Sequence, residues 1–165
     1  MDIKSIPAGS RCLVDSNIFI YHFAGLSADC TDLMVRIGAY ELQGVVTTTI
    51  ISEVLHRRML AEALAKGLIT AGQPLKKLKA NPQIVQSLSD YATEMDKILQ
   101  LPFEVIEVAK QDIKASFALR QSYGLFVNDS INLAGATRNG VTDIVSHDSD
   151  FQRAPIINLW MPTDL

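Results

Sequence analysis

Five acidic residues, spread over most of the chain, could act together in one reaction: Asp15, Glu53, Asp129, Asp148 and Asp150. If the fold brings them together, their repulsion must be relieved, because two carboxylates about 4 Å apart repel by about 4 kcal/mol at an effective dielectric of about 20. A ligand set of oxygens without histidine or cysteine suits Mg²⁺ or Mn²⁺. Such ions activate water and stabilise a leaving oxygen, so these residues predict metal-dependent hydrolysis of phosphate esters.

Each of these acids also has a structural explanation when it is taken alone. Asp129 can cap a helix, Asp148 and Asp150 can form a solvated turn, and Glu53 can pair with a basic residue one helical turn away. Asp15 could be a turn residue at the end of a strand, although it lies between apolar runs, where an unpaired carboxylate is costly. The set favours a functional site, because independent turn acids have no reason to fall at one edge of one sheet.

Apolar periodicity predicts the elements that must position the acids. Short apolar or alternating runs predict strands at residues 11–15, 45–47, 103–108, 142–146 and 155–160. Helical spacing predicts helices at residues 18–23, 30–42, 48–66, 82–101 and 109–123, with another that ends at 138. The predicted caps are Ser16 or Asn17 for the first helix and Asn128 or Asp129 for the last, and Gly44 is expected to end the second helix.

Strands that alternate with helices predict an α/β fold, with a parallel sheet of four to five strands covered on both faces. Ligands of such sheets bind beyond the carboxyl ends of the strands. Asp15 ends the first predicted strand, Glu53 follows the second, and Asp148 and Asp150 follow the fourth. Asp129 opens a helix at the same edge. All five acids are therefore expected to converge there.

Length and composition limit the class of protein. The chain has 165 residues, which predicts a single domain with a substantial core. The opening residues lack the features of a secretion signal, and no apolar run is long enough to span a membrane. Cys12 and Cys30 have no metal-binding spacing, which predicts a reduced, cytoplasmic protein.

A basic stretch follows Glu53, although the formal net charge of the whole chain is −3. Most such runs are solvated helix faces. Here a rim that binds phosphates is the preferred interpretation, because a site built of acids needs basic neighbours to hold an anionic polymer. An acidic segment of a partner protein could occupy the same surface. The residues proposed for binding nucleic acid are Arg57, Arg58, Lys76 and Lys77.

Two further residues have structural explanations that we prefer. Gly135 lies inside the last predicted helix at a cost of about 1 kcal/mol relative to alanine, which close packing of helix on sheet would explain. His147 adjoins Asp148, but neighbouring side chains in an extended run point to opposite faces.

With these residues in hand, the sequence resembles the PIN-domain family, and most closely the VapC-type toxin ribonucleases. The resemblance rests on the order and spacing of four blocks, which are Leu13–Ile20, Thr49–Leu55, Asn128–Ala134 and Ile144–Phe151. It assigns the four acids of the family to Asp15, Glu53, Asp129 and Asp148, an additional acid to Asp150, and supporting roles to Asn17 and Ser146.

The resemblance implies a three-layer α/β/α sandwich with a central parallel sheet. It also implies endonucleolytic cleavage of RNA that depends on Mg²⁺ or Mn²⁺, a homodimer, and inhibition by a VapB-like antitoxin. One departure is the stretch at about residues 67–101, which is longer than the connection of the smallest family members and is interpreted as a helical insertion.

Three alternatives compete with a toxin ribonuclease. The first is a PIN-like RNA-processing nuclease that is not a toxin. The second is a PIN-like scaffold that binds RNA or a partner without cutting it, although all four family acids are present. The third, a phosphatase of the haloacid-dehalogenase type, is disfavoured because such enzymes need a second aspartate two positions after the first, where this chain has Asn17.

Overall fold

The computed structural model describes all residues from Met1 to Leu165. The strands are β1 (Arg11–Val14), β2 (Gln43–Thr47), β3 (Glu104–Ile106), β4 (Asp143–Val145) and β5 (Asn158–Trp160). The α-helices are α1 (Ser16–Phe23), α2 (Ala28–Gly38), α3 (Thr48–Ala65), α4 (Pro74–Ala80), α5 (Pro82–Ser87), α6 (Asp90–Leu99), α7 (Lys110–Tyr123) and α8 (Val127–Arg138). Two short 3₁₀ helices cover Ile3–Ser5 and Ser149–Arg153.

The five strands form one sheet in the order β3-β2-β1-β4-β5, and every pairing is parallel. Leu13 at the centre is in register with Val45 on one side and Ile144 on the other. All three side chains are buried, as expected of a parallel sheet with both faces covered. The predicted α/β/α fold with a parallel sheet of four to five strands is confirmed.

The strand order reverses next to β1. The chain passes from β1 outward to β2 and β3, and β4 then returns to the other side of β1. In open α/β sheets such a switch point leaves a crevice beyond the carboxyl ends of the two central strands. Asp15 directly follows β1, and Ser146 directly follows β4, so both lie at this crevice.

Two clusters of apolar side chains hold the elements in place. The main cluster has 28 buried residues, among them Phe19 and Phe151, and surrounds the sheet. A second cluster of four residues joins α3 to the helices that follow it: Ala63, Ile69, Leu78 and Leu88. The segment after α3 therefore packs on α3 through a small core of its own.

Helices α1 and α8 do not have the N-caps that were predicted for them. The cap of α1 is Asp15, whose own side chain accepts a hydrogen bond from the N–H of Ser16, so neither Ser16 nor Asn17 is the cap. Helix α8 begins at Val127, and neither Asn128 nor Asp129 caps it, because the residue at the N-cap is Phe126. Asp129 thus lies within the first helical turn.

The prediction that Gly44 ends α2 is wrong, because this glycine lies inside β2. Helix α2 ends at Gly38, and the turn after it is completed by Tyr40 in a left-handed conformation with φ 58°. A Cβ atom on Gly44 would lie 2.6 Å from the ring of Phe103 and 2.9 Å from Ile37. The glycine is therefore required by close packing within the sheet.

The region predicted as one helix at residues 82–101 contains two helices, and α4 precedes them. Pro82 disfavours a helical conformation of Asn81, which has φ −132° and ψ 73° and separates α4 from α5. Leu88 is extended at ψ 135° and separates α5 from α6. The carboxylate of Glu62 on α3 then accepts hydrogen bonds from the N–H groups of Ser89 and Tyr91, where α6 starts.

None of the helices has the length and apolar character that crossing a membrane would require. Cys12 and Cys30 are both buried and form no disulfide. Burial is the main reason that the pKa of the Cys12 thiol is raised to about 12 and that of Cys30 to about 11. Both thiols therefore stay protonated at neutral pH, which makes them poor nucleophiles.

Candidate active site

Asp15 is held at the carboxyl end of β1 by three hydrogen bonds. Its Oδ1 accepts from the N–H of Ser16 at 2.7 Å, and its Oδ2 accepts from Nδ2 of Asn17 at 2.7 Å and from Oγ of Ser146 at 2.6 Å. The residue is only 6% exposed. A buried carboxylate with three fixed donors keeps one orientation, so Asp15 forms the floor of the site.

Ser146 and Asn17 connect the ends of β1 and β4. The hydroxyl of Ser146 donates to Asp15 and accepts from Nδ2 of Asn17 at 2.9 Å and from the N–H of Asp148 at 3.0 Å. Oδ1 of Asn17 in turn accepts from the N–H of His147 at 3.1 Å. These contacts fix the backbone that carries Asp148 relative to Asp15.

Asp129 lies in the first turn of α8, and its pKa is raised further than that of Asp15. Burial is the main cause, and the negative charges of Asp15, Asp148, Glu53 and Asp150 add to it in that order, so that the pKa is raised to about 7. Asp129 neither caps its helix nor forms an ion pair. The charges of the four other acids of the predicted site all act on this one carboxylate, so the five side chains share one region of the molecule.

Asp15 responds to the same environment. Burial raises its pKa, the hydrogen bonds from Ser146 and Ser16 oppose the change, and the charges of Glu53 and Asp148 add to it, with a result of about 6. Carboxylates that raise one another's pKa in this way are costly when all are ionised. A bound cation would relieve that cost.

The remaining acids lie around these two. The Oδ1 of Asp148 accepts from the N–H of Asp150 at 2.8 Å and so caps the 3₁₀ helix after β4. Two of the acids are paired with arginines: Glu53 lies 3.7 Å from the guanidinium of Arg57, and Asp150 forms an ion pair with Arg153. These two acids therefore lie at the edge of the cluster and already have countercharges.

All five predicted acids thus share one electrostatic environment at the switch point of the sheet. No group of three or more His, Cys, Asp or Glu side chains is arranged in this structure so that it could hold a metal ion. The chemistry of the donors still fits a hard divalent cation, because every candidate ligand is a carboxylate and the two central ones carry raised pKa values. Mg²⁺ in particular keeps several waters and needs few protein carboxylates.

The basic residues predicted as a phosphate-binding rim have different surroundings. Arg57 lies next to Glu53 with 47% of its side chain exposed. Arg58 is only 16% exposed, donates to both carboxylate oxygens of Glu94 at 2.7 Å, and lies over the ring of Phe23. Of these two, only Arg57 has an exposed guanidinium beside the acids, where a phosphate can reach it.

The two lysines of the predicted rim lie farther along the molecule. Lys76 and Lys77 belong to α4, whose Leu78 packs against Ala63 near the end of α3. Ala63 follows Glu53 by ten positions, which is about 15 Å along a helix axis. Lys77 also contacts the hydroxyl and carbonyl groups of Thr70. The structure does not bring these lysines to the acids.

Three polar residues near the site were not predicted. The hydroxyl of Thr47, at the end of β2, donates to Oδ1 of Asn132 at 2.7 Å and links that strand to α8 one turn after Asp129. The hydroxyl of Tyr21 lies 3.3 Å from Nδ1 of His147, and the rings meet edge to face, which agrees with a structural role for His147. The polar Asn132 inside the block Asn128–Ala134 was the available signal for the first contact.

Comparison with known proteins gives one relative by sequence. The chain is 26% identical over 151 residues to Ribonuclease VapC2 of Methanocaldococcus jannaschii, a match that covers 91% of this chain and 93% of that protein. No protein-family model matches the chain. The match therefore extends over nearly the full length of both proteins.

Solved structures with a similar fold come from toxin–antitoxin complexes. A chain of VapBC2 from Rickettsia felis, bound to a DNA fragment from their promoter, superposes with a TM-score of 0.60 at 13% identity and covers 92% of this chain and 98% of that one. A toxin–antitoxin complex from Klebsiella pneumoniae gives a TM-score of 0.58 at 21% identity, covering 93% and 98%. The resemblance to VapC-type proteins is confirmed.

A third solved structure has a similar fold. DNA-bound VapBC from Salmonella typhimurium superposes with a TM-score of 0.55 at 11% identity, and the match covers 92% of this chain and 98% of that one. At such low identity these structures show the fold alone.

Proposed function

We propose that this VapC-like chain is a metal-dependent endoribonuclease and the toxin of a toxin–antitoxin pair. The observation that carries the proposal is the position of Asp129 at the switch point of the sheet, where the charges of four other acids raise its pKa. The similarity to a protein named as a ribonuclease over 91% of the chain supports the choice of RNA as the substrate.

Mg²⁺ or Mn²⁺ would be held by Asp15, Asp129 and Asp148, with Glu53 and Asp150 contributing directly or through water. When bound, the ion supplies an activated water molecule and stabilises the charge that develops on the leaving oxygen. The acids are of the type that such an ion requires, and they lack the histidine and cysteine that would favour zinc.

The residues of the chain have separate tasks in this proposal. Asp15 is kept in one orientation by Ser16, Asn17 and Ser146, so it needs no rearrangement when substrate arrives. Arg57 is exposed beside Glu53 and is suited to hold a phosphate of the RNA backbone. Such a contact positions the polymer and reads no base sequence.

Two protein partners belong to the same proposal. A VapB-like antitoxin is supported by the similarity of the fold to chains from toxin–antitoxin complexes. A homodimer would cover apolar side chains that the single chain leaves exposed. The exposed side chains on α7 and at the start of α8 are Ile113, Phe117, Phe126 and Val127.

RNA cleavage by the purified protein tests the catalytic part. We expect cleavage with Mg²⁺ or Mn²⁺, loss of cleavage with EDTA, and a fall of at least about 100-fold in Asp15→Asn. Asp32→Asn, a change of an exposed aspartate on α2, is the matched control and should keep full activity. Cleavage that continues in EDTA or in Asp15→Asn would contradict the mechanism.

Expression in a host cell separates a toxin from the other candidate functions. We expect growth arrest on induction, and we expect Asp129→Ala to abolish it. RNA cleavage in the test tube without growth arrest would indicate a processing nuclease. Binding of RNA without cleavage in either metal would indicate a non-cleaving scaffold.

The mass of the protein in solution tests the homodimer. Light scattering coupled to size-exclusion chromatography should give twice the mass of 18.1 kDa. Phe117→Ser should shift the protein toward the monomer if α7 forms the interface. Leu99 on α6 has a similar exposure, 48% against 54% for Phe117, and Leu99→Ser should not shift the mass. A monomeric wild-type protein at micromolar concentration would exclude a stable homodimer.

A further inference from the structure

Arg153 joins two loops that carry acids of the candidate site. It ends the 3₁₀ helix Ser149–Arg153, where its guanidinium forms an ion pair with Asp150. The other side of the same guanidinium donates to the carbonyl oxygen of Gly124 at 3.0 Å. Gly124 forms the turn between α7 and α8, so one side chain spans the loop after β4 and the turn that leads into α8.

We infer that Arg153 is a positioning residue that sets the separation between Asp129 and the acids that follow β4. This inference rests on the proposed function, because its consequence is a change in the affinity for a divalent ion. Asp148 and Asp150 belong to one side of the bridge, since the carboxylate of Asp148 accepts from the N–H of Asp150. Asp129 belongs to the other side, five positions after Gly124.

The turn before α8 is suited to such a bridge. Gly124 has φ +65°, and a Cβ atom added to it would lie 3.3 Å from Nη1 of Arg153, so the guanidinium packs directly on the backbone of the turn. On the side of α7, Arg120 donates to the hydroxyl groups of Ser116 and Ser130, and Ser130 directly follows Asp129. Two arginines therefore brace the start of α8, and the hydrogen bond from Arg153 to Gly124 joins this turn to the loop after β4.

A purely structural role for Arg153 is less consistent with its surroundings. Its side chain is 51% exposed, and the two segments that it joins are anchored independently by Leu125 and Phe151 in the main core. The fold should therefore survive the loss of Arg153, while the relative positions of the carboxylates become less well defined. Mutation of a residue that orients metal ligands typically weakens metal affinity by about 10- to 100-fold.

Positioning and charge predict effects of opposite sign, which makes the inference testable. Removal of a cation next to a cluster of carboxylates increases the negative potential and should strengthen the binding of a divalent cation. Removal of a positioning residue should weaken it. Arg57 offers a matched control, because it also pairs with an acid of the site, Glu53, but no hydrogen bond joins its side chain to a second loop.

The experiment is a calorimetric titration of Mn²⁺ into the metal-free protein, compared among wild type, Arg153→Ala, Arg153→Lys and Arg57→Ala. We expect affinity about 10-fold weaker in Arg153→Ala. Arg153→Lys should also bind more weakly, because it keeps the charge but an ammonium does not reproduce the two-sided fork of a guanidinium. Arg57→Ala should bind Mn²⁺ as tightly as wild type or more tightly.

RNA cleavage as a function of Mn²⁺ concentration gives a second readout. We expect the activity of Arg153→Ala to recover toward that of wild type at saturating Mn²⁺. Unchanged or tighter Mn²⁺ binding in Arg153→Ala, or full affinity in Arg153→Lys, would overturn the inference. If wild type itself neither binds Mn²⁺ nor cleaves RNA, the proposed function fails instead, and thermal unfolding of each variant identifies any that does not fold.

Discussion

The hydroxyl of Ser146 donates a hydrogen bond of 2.6 Å to Oδ2 of Asp15 and so joins the ends of the two central strands, β4 and β1. The two residues are separated by 131 positions in the chain, and both are buried. The same hydroxyl accepts from the N–H of Asp148. One buried oxygen therefore links the first and the fourth acid of the candidate site.

Ser146→Ala should impair catalysis more than stability. The variant removes a donor to Asp15 and an acceptor for the N–H of Asp148, so both acids lose orientation, and we expect activity to fall about 10- to 100-fold. The unfolding free energy should fall by about 1–3 kcal/mol, because buried polar groups lose their partner. Ser146→Thr keeps the hydroxyl and serves as the control. Equal activity of the alanine variant and wild type would show that this link is dispensable.

Asp129→Asn should stabilise the metal-free protein while it abolishes activity. Burial and four neighbouring acids raise the pKa of Asp129 to about 7, so ionisation of this group opposes folding. The folded state binds the proton more tightly than the unfolded state, and stability is therefore lost as the pH rises from about 4 to 7. After allowance for screening by solvent, the asparagine variant should be more stable by about 1 kcal/mol at pH about 8.

Thermal unfolding in EDTA at several pH values measures this effect. The difference between Asp129→Asn and wild type should be small near pH about 4 and should grow to about 2–4 °C above pH about 7. Asp32→Asn, on the exposed face of α2, should show no such trend. A difference independent of pH would contradict the assignment of the raised pKa to Asp129.

Glu62→Gln should destabilise the protein, and the effect should fade in acid. Burial by itself would raise the pKa of Glu62, but hydrogen bonds from Lys66 and from the N–H groups of Tyr91 and Ser89 outweigh it and lower the pKa to about 2. The folded state thus favours the ionised form, so the stabilisation is present above pH about 4.5 and is lost as the pH falls toward 2.

Urea unfolding at pH about 7 and pH about 3 tests the role of Glu62. We expect a loss of about 2 kcal/mol in Glu62→Gln at the higher pH, the usual contribution of hydrogen bonds to a charged acceptor. The gap should narrow at the lower pH. Glu107→Gln, an exposed glutamate whose side chain has no hydrogen-bond partner, is the control. A gap that widens in acid would refute the explanation.

Two glycine-to-alanine substitutions should have opposite effects. Gly44→Ala would bring a Cβ atom to 2.6 Å from the ring of Phe103 and should cost about 1–3 kcal/mol. A Cβ atom on Gly135 would meet nothing closer than Thr47 at 3.8 Å. The prediction that close packing of helix on sheet requires this glycine is therefore wrong. Gly135→Ala should stabilise α8 by up to about 1 kcal/mol. Chemical denaturation of both variants measures the change in unfolding free energy. Destabilisation of Gly135→Ala, or none in Gly44→Ala, would contradict the explanation from space at the Cβ position.

Local sequence patterns were sufficient for the strands and for the acids, but in the region after α3 they missed α4 and merged α5 and α6 into one helix. The run of apolar residues before Asp15 and the alternation of strands with helices predicted the parallel sheet, because burial on both faces requires such patterns. The carboxyl-edge rule then placed Asp15, Glu53, Asp129 and Asp148 together without any knowledge of distances. Helix ends were less accurate, as at α1 and α8, because the caps there depend on which side chain reaches the free N–H groups.

By itself, the sequence determined the fold class and the set of acids at one edge of the sheet, since both follow from periodicity and chain order. Only the tertiary structure decided which charges are available, because ion pairs join residues that are distant in sequence. Arg58 is neutralised by Glu94, 36 positions away, and Arg153 reaches Gly124, 29 positions before it. How a basic or acidic side chain can act on substrate depends on the partners and the exposure that folding gives it, and no local pattern records these.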